Sequence, residues 1–352
     1  MRLFVWWTAL ALGAAPGTPP VATPDREAAA LQREIARNGW IVYSAITERG
    51  DWDLFRSRPD GSERCNLTRT SDTHELGGRF SPDGRRILFR RIGKDTKFNH
   101  DRWGALGQLV IANGDGTNPV AQGVAGDYPW ASWSPDGAQV ACLTRNGIEI
   151  RDLASGRVVR SLDRRGIYQQ LFWSPNGRWF TGTANTYGEN WTVIRIHAET
   201  GEANPVHNFQ NCTPDWSPDS KRIIFSSRPA NQGDDEGLSQ AAGQKPDYGW
   251  TQLLIADGDG ANRMLVYGED GRHIYGGALS PDGKYVLFTR AARDGGMGEA
   301  TIHVMRLRDA PVVGGVSAAL RKRYPQAKRG PVVAVATGWE PHWSNGPAAG
   351  PK

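Results

Sequence analysis

The sequence predicts an all-β chain, a six-bladed β-propeller of four-stranded blades. Three observations predict it. One tight-turn motif recurs six times along the 352 residues. Most copies of the turn are followed by a run that is apolar on consecutive positions. The two ends of the chain hold complementary parts of one blade.

The turn motif comes first, because internal repeats decide the architecture before any local reading does. Phe80-Ser-Pro-Asp-Gly84 recurs as Trp133-Ser-Pro-Asp-Gly137, Trp173-Ser-Pro-Asn-Gly177, Trp216-Ser-Pro-Asp-Ser220 and Leu279-Ser-Pro-Asp-Gly283, and in degenerate form as Trp343-Ser-Asn-Gly346. The spacings are 53, 40, 43, 63 and 64 residues. The short ones match the roughly 40–45 residues of a four-stranded blade, and the long ones imply loop insertions. Proline presets φ at the first central position of a type I turn, Asp or Asn takes the second, and glycine accepts the left-handed position that follows.

The apolar runs are Ile87-Leu-Phe89, Val140-Ala-Cys-Leu143, Ile223-Ile-Phe225 and Tyr285-Val-Leu-Phe288. Consecutive apolar positions mean that both strand faces are buried, as between stacked blades. With the Trp strand as A and this run as B, a third strand C follows (Leu109–Ile111, Trp191–Ile194, Leu253–Ile255). Then come a second turn (Asn113-Gly-Asp-Gly116, Asp257-Gly-Asp-Gly260) and a fourth strand D such as Arg263–Val266. The 43 Gly and 14 Trp suit many tight turns and large packing surfaces. Asp257-Gly-Asp-Gly260 lacks the spacing and terminal glutamate of an EF-hand and reads as a turn.

At the start, Trp40–Ile46, Trp52–Ser57 and Glu63–Thr68 read as B, C and D with no A before them. At the finish, Trp339–Trp343 reads as an A strand with no B after it. Joining them closes the ring and removes free sheet edges. The propeller is therefore expected over 40–346, with a tail over 347–352.

Residues 1–20 read as an export signal. Arg2 gives a positive start, Leu3 to Leu12 an apolar stretch, and Gly13-Ala-Ala15 small residues for cleavage before the breaker-rich Pro16 to Pro20. About ten apolar residues are too few for a bilayer span, which needs about twenty; an uncleaved anchor is the competing reading. The expected location is periplasmic or secreted, with no transmembrane span after cleavage. Between 21 and 39, Thr23-Pro24 forms an N-cap and N1 pair, Leu31 and Ile35 share a face, and Gly39 ends a short helix.

The net charge of +5 comes from scattered Lys and Arg, apart from Arg321-Lys-Arg323 and Lys328-Arg329. No nucleic-acid-binding signature accompanies it, and nucleic acid is not an expected partner. Cys65, Cys142 and Cys212 are widely spaced and fit no metal-ligand pattern. There is no Gly-x-Ser-x-Gly elbow and no phosphate loop, and His74-Glu75 lacks the second histidine of a zincin helix.

The repeat of apolar strand, Asp-Gly hairpin and Trp-Ser-Pro-Asp-Gly turn over 40–346 resembles the TolB-type, WD-like propeller repeat. TolB is a periplasmic component of a bacterial envelope complex that binds partner proteins. The resemblance therefore implies an exported scaffold with a protein or peptide partner. TolB carries an additional α/β domain ahead of its propeller, where about twenty residues stand here, so the envelope-complex role itself is not carried over. Oligogalacturonate lyases have a similar repeat, with a metal held by pore-facing histidines and a seventh blade. Their histidine pattern is not matched residue by residue, and His74, His273 and His342 are its only candidate counterparts.

Propeller topology puts B–C and D–A connections on one face and A–B and C–D turns on the other. The long B–C insertions Arg91–Gly107 and Arg228–Trp250 belong to the first face, and Asp309–Gly330 to the second. Loops on a rigid frame commonly carry binding. Six residues before each Trp position stand His74, Asp127, Ile167, Gln210, His273 and Thr337; Glu75, Tyr128, Tyr168, Asn211, Ile274 and Gly338 follow them. These rings place His74, Glu75, Asp127, Tyr128, Tyr168 and His273 at the channel mouth, with Glu340 and His342 from the closing strand. They could bind a protein, peptide or oligosaccharide, or simply line a hydrated funnel. No catalytic residue and no cofactor is expected. A divalent metal on His74, Asp127 and His273 is the exception the ring allows.

Overall fold

The computed structural model describes residues 26–96, 107–123, 130–187, 191–207, 210–228, 251–269, 272–292, 299–309, 312–313 and 330–344. The expected signal, Thr23-Pro24, Asp127, Tyr128, the basic cluster and the tail lie outside them, as does most of each long insertion.

Six antiparallel sheets form the blades. Blade 4 shows the pattern, with strands A to D at Ile167–Trp173, Trp179–Ala184, Thr192–His197 and Ala203–His207. Blade 1 is assembled from both ends of the propeller. Its A strand, Trp339–Trp343, pairs with the B strand Ile41–Ile46 in the register Ile41 to Trp343 and Ser44 to Trp339. The ring is closed as the sequence predicts.

Blade 5 departs from the four-strand pattern. Val312–Val313, from the connection between C and D of blade 6, runs parallel to the D strand Met264–Gly268 of blade 5. The insertion thus reaches the neighbouring blade and covers an outer edge that would otherwise present unpaired backbone groups.

The core lies between blades. Phe172, Val193 and Val206 of blade 4 cluster with Trp216, Ile223 and Phe225 of blade 5. The B strand of blade 5, Arg222–Ser227, has its central three residues fully buried, so both of its faces pack. A helix over Arg26–Ile35 lays Leu31 and Ile35 against Tyr43, Tyr285 and Trp343, across the seam between blades 1 and 6. Glu34 on that helix accepts hydrogen bonds from the Tyr285 hydroxyl (2.5 Å) and Arg306 Nε (2.9 Å), both on blade 6.

In the Ser-Pro-Asp-Gly turns the serine is the hub. Ser174, fully buried, donates to Asn176 Oδ1 (2.9 Å) and accepts from the Trp179 amide (3.0 Å). Ser81, Ser134, Ser217 and Ser280 repeat both bonds. The glycines take the expected left-handed φ, and Ser220 does so where glycine is missing. Its hydroxyl accepts from the Asn176 amide of blade 4 at 2.9 Å, tying two neighbouring turns together.

Candidate functional site

The A strands line the central channel, and among the described residues five of them carry a bulge. Register shifts fall at Leu76/Arg79, Gln169/Phe172, Cys212/Asp215 and Tyr275/Ala278, and opposite Val42/Ser44 in blade 1. Three residues before the Trp position, Gly77, Gln170, Thr213, Gly276 and Glu340 have φ between 49° and 66°. A bulge leaves one residue unpaired and bends the strand, which re-aims the side chains beyond it. The freed backbone groups are caught by the preceding blade. The Thr213 amide donates to Gln170 Oε1 (3.0 Å), the Gly276 amide to Thr213 Oγ1 (3.0 Å) and the Gly77 amide to Ser44 Oγ (3.2 Å).

The bulges shape an axial channel with two chambers. The chamber on the D–A side has a volume of about 230 Å³, and Tyr168, Phe172, Trp191, Tyr275 and Trp339 form much of its wall. The second chamber, about 150 Å³, opens between the Ser-Pro turns. Arg79, Phe172, Asp215 and Ala278 border both chambers and make the waist. All four occupy the position just before the Trp position of their repeat. The same position in blades 3 and 1 holds Ser132 and His342, which border the second chamber.

Charge at the waist is sparse. Asp215 accepts a 2.7 Å hydrogen bond from the Trp216 amide. Burial pushes its carboxyl up to about 6, against the pull of the Arg79 guanidinium. Arg79 is tethered by Nη1 to the carbonyls of Gly78 (3.0 Å) and Glu340 (3.3 Å), with its Cζ 5.0 Å from the Phe172 ring centroid. His342 takes the Phe80 amide on Nδ1 (3.2 Å), and burial, then Arg79, holds its pKa well below the ordinary value. The ring is therefore neutral with its proton on Nε2. Beside the waist, buried Arg90 lies 3.5 Å from Glu340 and 4.0 Å from the Trp130 ring centroid. Burial lowers its pKa to about 10, although Glu340 opposes this.

The residues singled out from sequence are divided by the structure. Tyr168 and Glu340 line the first chamber and His342 the second. His74 is buried, with Nδ1 accepting the Trp52 amide at 3.0 Å and Nε2 3.0 Å from the Lys94 carbonyl. His273 repeats this two blades away, accepting from the amide (3.1 Å) and hydroxyl (2.7 Å) of Thr251. It stands behind the chamber wall, stacked on Tyr275 at 5.5 Å. Glu75 is fully buried and satisfied by Thr70, Thr73 and Arg91. Among the described residues, no three His, Cys, Asp or Glu side chains gather as a metal site would require.

Arg79 and Asp215 were not singled out. Their signal is a column of the repeat: the position before Trp reads Arg, Ser, Phe, Asp, Ala, His, while the turn beside it hardly changes. The column varies because no backbone requirement of the turn fixes it, unlike the Ser, Pro, Asp and Gly beside it.

Fold and channel together define a class: a closed six-bladed propeller with a two-chambered axial channel. No protein-family model matches the chain, and no curated protein does. Solved structures do. TolB from Acinetobacter baumannii is similar with a TM-score of 0.59 and 16% identity, over 87% of this chain and 66% of that one. A putative TolB from Agrobacterium tumefaciens gives 0.50 and 18%, over 76% and 84%. A chain of a nidogen/laminin complex gives 0.53 and 11%, over 86% and 100%. The fold is that of a TolB-like propeller.

Proposed function

We propose that this chain is a non-enzymatic binding scaffold, exported to the bacterial cell envelope, that takes a segment of a protein partner into the first chamber of its channel. The observation that carries the proposal is the chamber itself. It lies on the D–A side, has aromatic side chains along much of its wall, and meets the second chamber at a waist that carries Arg79 and Asp215. That combination fits an inserted side chain or peptide loop, because apolar walls supply affinity and sparse polar groups supply orientation. The apolar stretch Leu3 to Leu12 supports export, and the TolB-like fold agrees with a scaffold role. No helix among the described residues is long and apolar enough to cross a membrane.

Photo-crosslinking tests the proposal. A benzophenone side chain at position 168, in the chamber wall, is expected to capture a discrete partner in cells. The same group at position 85, exposed on a Ser-Pro-Asp-Gly turn of the opposite face, is expected to capture none. Equal capture at both positions, or none at position 168, would contradict it.

An oligosaccharide ligand is the second reading, favoured by the same aromatic wall, since sugar rings pack on aromatic faces. A glycan array separates it from the first. The lyase resemblance is not part of the proposal, because His74 and His273 turn their Nδ1 atoms to backbone amides.

A further inference from the structure

The first chamber is an aromatic enclosure with a carboxylate in its floor, and that pairing selects for charge as well as shape. Tyr275 and Trp339 pack at 5.6 Å with a 45° tilt, and Tyr168, Trp191 and Phe172 continue the wall. Aromatic faces carry negative potential and attract organic cations, most strongly where water is excluded. Among the described residues, Asp215 accepts one hydrogen bond, from the neighbouring Trp216 amide, and it lies beyond ion-pair distance of Arg79 across the waist. Arg79 is drawn back by the Gly78 and Glu340 carbonyls and lies against Phe172. The Asp215 carboxyl thus borders the chamber with Arg79 acting on it only from beyond ion-pair distance.

We infer that the chamber recognises a basic side chain, lysine or arginine, at the tip of the partner segment, with Asp215 as its counter-ion and the aromatic wall around its stem. This rests on the scaffold reading and names the chemistry of the partner at that site. A guanidinium suits the site well, since it stacks on aromatic faces while reaching a carboxylate.

The charged and titratable groups around Asp215 are few. Arg79 comes from blade 2, Glu340 and His342 from blade 1, and Cys212 from its own strand. Blade 4 contributes Tyr168, Gln170 and Phe172, and blade 6 contributes Tyr275 and Ala278. His342 is neutral, and burial raises the Cys212 thiol to about 12. Of the three groups at the waist itself, Asp215 is thus the one whose charge changes between pH 5 and 7.5, while the Glu340 carboxylate is paired with Arg90 at 3.5 Å. A bound cation favours the ionised carboxylate, so affinity falls as pH drops through about 6.

The probe is n-butylguanidinium, with neutral n-butylurea as its isostere, followed by quenching of Trp191 and Trp339 fluorescence in the full chain. Saturable binding of the cation at pH 7.5 with a midpoint in the millimolar range is expected, weakening about tenfold at pH 5. The urea is expected to bind more weakly and without pH dependence. Asp215→Asn should cost at least about tenfold for the cation and leave the urea unchanged. If that variant fails to fold, the pH profile of the unaltered chain decides alone. Absence of saturation up to about 50 mM, equal binding of cation and urea, or a flat pH profile would overturn the inference. Failure here with a persistent crosslink from position 168 removes the cation and keeps the scaffold; a lost crosslink with intact cation binding does the reverse.

Discussion

At neutral pH Asp215 holds its charge in a wall from which most water is excluded, and this costs stability. Its carboxyl is raised to about 6, above the ordinary carboxylate range. A raised folded-state pKa stabilises the protonated form, a contribution present below pH 4 and lost as pH climbs through about 6. Asp215→Asn removes the charge without changing shape. It should stabilise the protein by about 1–2 kcal/mol at pH 7.5, allowing for residual solvent at the cavity wall, and by nothing measurable near pH 4. Urea denaturation at the two pH values checks this, and a variant less stable at pH 7.5 would show that the ionised carboxylate has a structural partner. A charge kept at such a cost fits a site held for binding rather than for the fold. This residue was illegible in the sequence as a site because no turn or packing requirement marks the position before Trp216, whereas the turn after it is fixed by Pro218 and Asp219.

The element that builds the channel is the bulged A strand, and its glycines show why it bends where it does. Gly77 has φ of +66°, and a Cβ there would sit 3.1 Å from Glu340 Oε2 and 3.3 Å from Arg90 Nη2. Gly283, in a Ser-Pro-Asp-Gly turn, has φ of +69° and nothing within 4 Å of the same atom. Gly283→Ala should therefore cost only the left-handed strain, about 1 kcal/mol, whereas Gly77→Ala adds displacement of a buried ion pair and should cost about 2–4 kcal/mol. Equal losses in chemical denaturation would mean that the Arg90–Glu340 pair yields freely. The turns were legible because Pro, Asp and Gly each announce a backbone requirement. The bulges were not: their left-handed position holds Gly, Gln, Thr or Glu, and only the closing of backbone bonds by the preceding blade makes it necessary.

At the scale of the whole molecule, the ring could be counted from sequence because the unmatched B–C–D at one end and the lone A strand at the other require each other. Val312–Val313 could not be placed, since its partner lies on another blade and nothing local announces a parallel edge pairing. The candidate mouth was half legible. Among the described residues, His74 and His273 turn their Nδ1 atoms to backbone amides while Tyr168 and Glu340 line the chamber. His74 and His273 stand one residue ahead of the Tyr168 position, and neighbouring residues of a strand point to opposite faces. The central claim is that a partner enters by the D–A chamber. Hydrogen exchange on the complex captured from position 168, compared with the free protein, tests it most directly. Added protection is expected over 168–172, 211–215, 275–278 and 339–341, with the Ser-Pro-Asp-Gly turns unchanged. Protection of those turns or of the outer strands, with the chamber segments exchanging as before, would contradict it.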